Sequence, residues 1–179
     1  MARLNLLLIL SVCAASNSSW AQEQPAAGWL TRLELKEHQK LMTLMSQGEE
    51  LAPFTTDGCS GGMSWIWERA VRNFPELGTT DGTRPEWENC CVIHDQAYHD
   101  ASGATQAEES YLARLMADQE LQSCIRDIAS RPISVGVPLT PDLGVLYERL
   151  SVAMFWAVRF GGEPCSGLPW RWGYGYPNC

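Results

Sequence analysis

The amino-acid sequence predicts a mainly α-helical protein. Apolar residues recur at helical spacing in several long segments, and the alternation typical of strands is almost absent. The stretch from Cys90 to Tyr98 contains no Gly or Pro, so nothing in it interrupts a helix. The chain of 179 residues also contains seven cysteines. We therefore expect helices joined by disulfides, with one helix near each end of the chain.

Residues 1–21 are typical of an export signal peptide. Arg3 precedes the apolar run 6–12, and the segment ends in a small-x-small cleavage motif. Its removal also removes Cys13 and leaves six cysteines, an even number that predicts three disulfides in an exported chain. We expect a single mature domain, residues 22–179, that is secreted or periplasmic.

The acidic composition excludes some partners. The chain has a net charge of −8, and without the signal peptide 12 basic and 21 acidic residues give −9. Proteins that bind nucleic acid need a basic surface, and anionic membranes attract basic segments. The negative charge therefore argues against a nucleic-acid partner and against strong electrostatic attraction to an anionic membrane. The most apolar mature segment, residues 143–160, contains three charged residues, so we expect no transmembrane helix.

Two helices are predicted in the first half of the mature chain. The first runs from Trp29 to about Gln47, where Gly48 stops it, and residues 22–28 are expected to be a loose terminus. The second is short and runs from Ser64 towards Phe74.

Three further helices are predicted in the second half. The central one starts near Pro85 and ends at Ser102–Gly103. The next starts at a capping box, Thr105 to Glu108, and reaches about Ile128. The last occupies residues 141–161, and the tail beyond it is rich in Gly, Pro and aromatic residues.

The central helix carries two neighbouring rows of chemically active side chains. Residues four apart share a helix face, so the rows are Cys90, His94 and Tyr98, and Cys91, Asp95 and His99. Adjacent half-cystines on a helix can hardly bond each other, so they should attach the helix to two different neighbours. An imidazole and a carboxylate would then lie side by side and face different neighbours.

A glycine-rich loop, residues 55–62, contains Asp57 and Cys59. Glycines let a backbone turn its carbonyl oxygens inward, and Ca²⁺ prefers carboxylate and carbonyl oxygens. The loop is therefore a candidate site for a hard cation.

The pattern Cys-Cys-x-x-His-Asp-x-x-Tyr at residues 90–98 resembles the catalytic helix of secreted phospholipases A2. The resemblance covers residues 55–124. It implies a disulfide-stitched antiparallel helix pair with a Gly-rich calcium loop, to which the N- and C-terminal helices are added. The short loop and the missing β-hairpin between the paired helices are similar to the shorter bacterial-type forms.

The resemblance also implies residue roles. The general base would be His94, oriented by Asp118 on the following helix and assisted by Tyr98. The Ca²⁺ ligands would be Asp57, Gly58, Ser60, Gly62 and Asp95. The implied disulfides are Cys59–Cys91 and Cys90–Cys124, which leaves Cys165 and Cys179 for each other. The family has a further disulfide, and both of its cysteines are replaced here, by Ala97 and Ala117.

The function implied is calcium-dependent hydrolysis of a glycerophospholipid fatty-acyl ester at the sn-2 position. The substrate would be a phospholipid in a membrane or micelle surface. Water activated by His94 would attack the ester, and Ca²⁺ would stabilise the oxyanion.

Two alternatives remain open at this point. Residues 58–62 also fit Gly-x-Ser-x-Gly, which would make Ser60 the nucleophile of an esterase. The chain could instead be a non-enzymatic module that binds lipid or protein. We expect His38 and His99 to have surface or supporting roles, and we expect a lipid-contacting rim to include some of the tryptophans Trp65, Trp67, Trp156, Trp170 and Trp172.

Overall fold

The computed structural model describes residues 25–59, 85–128 and 141–179. Within these ranges it contains four α-helices, one short 3₁₀-helix and no strand. The helices are α1 (Pro25–Ser46), α2 (Glu88–His99), α3 (Ala107–Ile128) and α4 (Pro141–Gly161), and the 3₁₀-helix is Ala101–Gly103. The predicted mainly α-helical class is confirmed for this part of the chain.

Two predicted helix starts are wrong. Helix α1 begins at Pro25, so residues 25–28 are helical rather than loose. Proline suits a first helical turn because its missing N–H has no partner to lose there. Helix α2 begins at Glu88, whose N–H donates to the carbonyl of Pro85 at 3.0 Å. Pro85 therefore belongs to the turn before the helix.

The predicted capping box is replaced by a neighbouring contact. Thr105 donates to Oε2 of Glu109 from its backbone N–H at 2.9 Å and from its hydroxyl at 3.2 Å. Helix α3 begins at Ala107. The capping carboxylate is thus Glu109 and not Glu108, as expected when a helix starts one residue later than the motif suggests.

Several predictions lie outside the described residues. They are the signal peptide at 1–21, the short helix at 64–74, residues 60–62 of the glycine-rich loop, and the loops at 75–84 and 131–137.

Three disulfides join the described elements. They are Cys59–Cys91, Cys90–Cys124 and Cys165–Cys179, the pairs named above. The first attaches the segment before α2 to that helix, the second joins α2 to α3, and the third closes the tail. The two cysteines that are adjacent on α2 therefore do bind different neighbours.

Helix α3 packs against each of the other three helices. One apolar cluster, which includes Leu121, Ile125 and Met154, fills the space among α2, α3 and α4. A second, which includes Leu41, Tyr98 and Ala117, lies among α1, α2 and α3. Polar residues on α2 and α3 are therefore held between two packed cores.

The tail folds back onto the end of α2. The N–H groups of Gly173 and Gly175 donate to the carbonyls of Tyr98 and His99 at 2.6 and 2.9 Å. Trp172, which precedes Gly173, is fully buried, so it is not one of the tryptophans of a lipid-contacting rim. None of the described helices has both the length and the apolar character required to cross a bilayer.

Candidate active site

His94 on α2 and Asp118 on α3 face each other inside the protein. Nε2 of His94 lies 2.9 Å from Oδ1 of Asp118. The imidazole is 6% exposed and the aspartate is fully buried. Cys90, one turn before His94, is bonded to Cys124 on α3, which holds the two helices together beside this contact.

Asp118 accepts hydrogen bonds from three side chains. Its Oδ1 accepts from His94 and from the Tyr98 hydroxyl at 2.6 Å, and its Oδ2 accepts from Nη1 of Arg159 at 2.9 Å. An ionised carboxylate can only accept, so each partner must supply a proton. We infer that Nε2 of His94 carries the ring proton and that Nδ1 is the acceptor.

A network of buried and partly buried charges extends behind Asp118. Oε1 of Glu34 accepts from Arg114 and, at 2.6 Å, from Nη2 of Arg159. Arg114 is fully buried and also donates to the Tyr98 hydroxyl at 3.2 Å and to two carbonyl oxygens of α4. Two arginines thus compensate two carboxylates, as buried charges require.

These contacts fix the protonation of the site. Burial opposes the charged form of His94, but the hydrogen bond to Asp118 and the nearby Asp95 outweigh it and raise the pKa above the ordinary 6.5. Burial also raises the pKa of Tyr98 well above its ordinary value, so the phenol keeps its proton and donates. Although burial alone would lower it, Asp118 and Glu34 raise the pKa of Arg159.

A cavity of about 250 Å³ opens beside His94. Its polar lining comes from Asp57, Gly58, His94 and Asp95, and Nδ1 of His94 lies 4.0 Å from Oδ1 of Asp95. Its apolar lining includes Leu121, Met154, Ala157, Val158 and Trp170. One ring nitrogen of His94 is thus engaged by Asp118, and the other lies beside a cavity that has polar and apolar walls.

Thr56 links the segment before α2 to Asp95. Its hydroxyl donates to Oδ2 of Asp95 at 2.6 Å and accepts from the N–H of Gly58 at 2.9 Å. Gly58 has a φ of +66°, and a Cβ there would lie 2.9 Å from Oε1 of Glu88. The positive φ favours glycine at this position, whereas the Glu88 carboxylate, at the end of a flexible side chain, could move away.

The oxygen atoms at this end of the cavity are of the types that bind calcium. No group of three or more His, Cys, Asp or Glu side chains is placed to hold a metal ion within residues 25–59, 85–128 and 141–179. What lines the cavity is two carboxylates, Asp57 and Asp95, with the backbone of Gly58. Ca²⁺ binds such mixtures of carboxylate and carbonyl oxygens together with water. The other predicted ligands, Ser60 and Gly62, are outside the described residues.

His38 and His99 are both buried, which excludes a surface position and leaves the supporting role of the two that were expected. Nδ1 of His38 lies 2.8 Å from Oγ of Ser110, and Nε2 of His99 lies 2.9 Å from the carbonyl oxygen of Ala52. Burial lowers the pKa of His38. Neither histidine lines the cavity, which leaves His94 as the histidine of the site among the described residues.

The roles of Glu34, Arg114 and Arg159 were not predicted from the sequence. The sequence could have indicated a role for Arg159, which follows an apolar run in the last helix. A charged residue on the packed face of a helix requires a partner of opposite charge. Gly162 was not predicted either, and a Cβ there would lie 2.6 Å from Cε1 of Tyr98. Glycine there lets the chain leaving α4 pass directly over the tyrosine that donates to Asp118.

No family model, curated protein or solved structure matches this chain. The case for a function therefore depends on the geometry of His94, Asp118 and the cavity, and on the motif at residues 90–98.

Proposed function

We propose that the protein is a calcium-dependent hydrolase of the phospholipase A2 type that cleaves a fatty-acyl ester of a glycerophospholipid. The observation that carries this proposal is the His94–Asp118 pair beside a cavity that Asp57 and Asp95 also line. In this proposal α2 and α3 form the antiparallel helix pair of that family, and residues 57–62 form its calcium loop. The sn-2 position of the ester comes from the resemblance of residues 90–98.

His94 acts as the general base. Nε2 is protonated and bound to Asp118, so Nδ1 accepts a proton from a water molecule in the cavity as that water attacks the ester carbonyl carbon. The proton then passes from Nδ1 to the leaving alkoxide of the lysophospholipid. Asp118 stabilises the transient imidazolium and holds the ring in one tautomer.

The loop residues Asp57, Gly58, Ser60 and Gly62 would hold calcium together with Asp95. When bound, Ca²⁺ polarises the ester carbonyl and stabilises negative charge on its oxygen. The hydrogen bond from Thr56 to Asp95 restrains one oxygen of this carboxylate, so the side chain is oriented before a ligand arrives.

The apolar part of the cavity suits a fatty-acyl chain. Leu121, Met154 and Val158 line it, and Trp170, which is 47% exposed, lies where the lining meets solvent. An acyl chain in this space would exclude bulk water and leave the ester near His94 and Asp95.

The experiment is an assay of fatty-acid release from phosphatidylcholine vesicles, with saturating calcium and with a chelator in excess. We expect release with calcium and loss of release with the chelator. Activity that survives the chelator but is lost in Ser60→Ala would contradict the proposal and favour the serine esterase. Vesicle binding without any release would favour the non-enzymatic module.

A further inference from the structure

A second cleft lies between α1 and the end of α4, where the tail begins. Its volume is about 570 Å³, which falls in the range of about 300–1,000 Å³ typical of ligand sites. None of its lining residues also lines the cavity beside His94, although Glu34 and Arg159 belong to the charge network behind Asp118. It therefore needs an explanation of its own.

Four large apolar side chains line this cleft and remain open to solvent. Leu30 and Leu33 of α1 are 56% and 49% exposed, and Trp156 and Phe160 of α4 are 51% and 77% exposed. The two aromatic rings stack, with centroids 5.4 Å apart and planes 20° apart. Apolar side chains exposed together in a concave place mark a binding surface.

The charges of the cleft define what it can bind. Its charged lining residues are Glu34, Lys36, Glu37, Arg159 and Glu163. Arg159 and Glu34 are bonded to each other, and Glu37 pairs with Lys40 at 2.8 Å. In the part of the chain that the structure describes, Lys36 and Glu163 are exposed and form no ion pair. One positive and one negative side chain are thus left for a ligand.

We propose that this cleft binds the zwitterionic head group of a phosphocholine lipid. Lys36 pairs with the phosphate, and Glu163 with the quaternary ammonium, which also lies against the aromatic faces of Trp156 or Phe160. Aromatic faces attract quaternary ammonium groups through the ring quadrupole. Leu30 and Leu33 contact the start of the hydrocarbon chain. An amphiphile with a single charge would leave either Lys36 or Glu163 unpaired, whereas a zwitterion pairs both.

This inference goes beyond the proposed function, because binding in the cleft requires no ester cleavage. The test is calorimetric titration of the disulfide-bonded protein with dodecylphosphocholine below its critical micelle concentration. This amphiphile has no carboxylic ester, so an absence of hydrolase activity would not affect the result. We expect saturable binding, and affinity at least about fivefold weaker for dodecyltrimethylammonium, dodecyl maltoside and chain-free phosphocholine.

Two exposed substitutions identify the site. Phe160→Ala and Glu163→Gln should each weaken dodecylphosphocholine binding by about fivefold. Met116→Ala is the control, because Met116 is 58% exposed on α3 and does not line the cleft, and it should leave the affinity unchanged. Equal affinity in all three variants, or binding of dodecyl maltoside as tight as that of dodecylphosphocholine, would overturn the proposal.

The indole N–H resonances locate the bound amphiphile. Trp156 lines this cleft and Trp170 lines the active-site cavity. A shift of the Trp156 resonance with dodecylphosphocholine supports the proposal. A shift of the Trp170 resonance alone would place the amphiphile in the other cavity and overturn it.

Discussion

Asp118 accepts hydrogen bonds from His94, Tyr98 and Arg159 while it is fully closed to solvent. A buried carboxylate without such partners would be costly, and each partner lowers that cost. The same partners leave the carboxylate little freedom to rotate. The imidazole bonded to it is therefore oriented by the fold before any substrate is present.

Asp118→Asn tests this orientation. In the wild type, Asp118 raises the pKa of His94 above 6.5, and a base works only when neutral, so activity should fall as the pH drops through that raised value. Asparagine stabilises the imidazolium less, so the acid limb of the pH profile should move to lower pH. The maximal rate should fall by about 10- to 100-fold, less than loss of the base itself.

The measurement for Asp118→Asn is the rate at saturating calcium and substrate between mildly acidic and mildly basic pH. Glu120→Gln is the control, since Glu120 is exposed on the same helix and should not change the profile. An acid limb at the same pH in wild type and Asp118→Asn would show that this carboxylate does not act on His94.

Asp95→Asn tests the predicted calcium site. The amide oxygen can still accept from the Thr56 hydroxyl, so the local fold should persist. Calcium affinity should fall sharply, because a charged hard-oxygen ligand is lost. Calorimetric titration with calcium measures this, and Asp127→Asn, an exposed residue of α3, is the control. Unchanged affinity in Asp95→Asn would remove Asp95 from the site.

Local spacing was enough to select His94, Asp95 and Tyr98, because one helix presents all three. It was not enough for Arg159 and Glu34, which are bonded although they lie 125 positions apart in the chain. Long-range ion pairs leave no periodic signal in a sequence. Only the packed helices reveal that these two residues belong together.

At the level of helices, one network of charges ties α1, α3 and α4 together. Glu34 comes from α1, Arg114 and Asp118 from α3, and Arg159 from α4. Periodicity predicted the existence of all four described helices, because their apolar faces repeat regularly. It placed the starts of α1 and α2 wrongly and that of α3 one residue too early, because the first turn depends on local contacts such as the one between Thr105 and Glu109 at the start of α3.

Glu34→Gln tests the network. It leaves the buried Arg114 without a carboxylate partner and leaves Arg159 with Asp118 alone, so the free energy of unfolding near neutral pH should fall by about 3–5 kcal/mol. Glu37→Gln on the same helix is the control, because its surface pair with Lys40 should contribute at most about 1 kcal/mol. Urea unfolding measures both, and equal losses would contradict a structural role for the network.

The effect of Glu34 should also depend on pH. Burial alone would raise its pKa, but His38, Arg114 and Arg159 lower it below the ordinary 4.5. A depressed folded-state pKa contributes stability that is present above the ordinary value and is lost as the pH falls through the folded value. The difference in the free energy of unfolding between wild type and Glu34→Gln should therefore be largest above about pH 4.5 and become smaller as the pH falls below it.

At the level of the whole molecule, the resemblance covered only residues 55–124. The described structure adds α1, α4 and the tail to the same site. Met154, Val158 and Gly161 of α4 line the cavity beside His94, and Arg159 donates a hydrogen bond to Asp118. These contributions were not predictable, because they depend on how distant helices pack against the region that carries the motif.

The central claim is that His94 is the base of a calcium-dependent hydrolysis. The most direct test compares wild type with His94→Gln in the release of labelled fatty acid from sn-2-labelled phosphatidylcholine at saturating calcium. Circular dichroism and calcium titration should be the same for both proteins. We predict that His94→Gln lowers the rate by about 10²–10⁴-fold. Equal rates in the two proteins would contradict the mechanism.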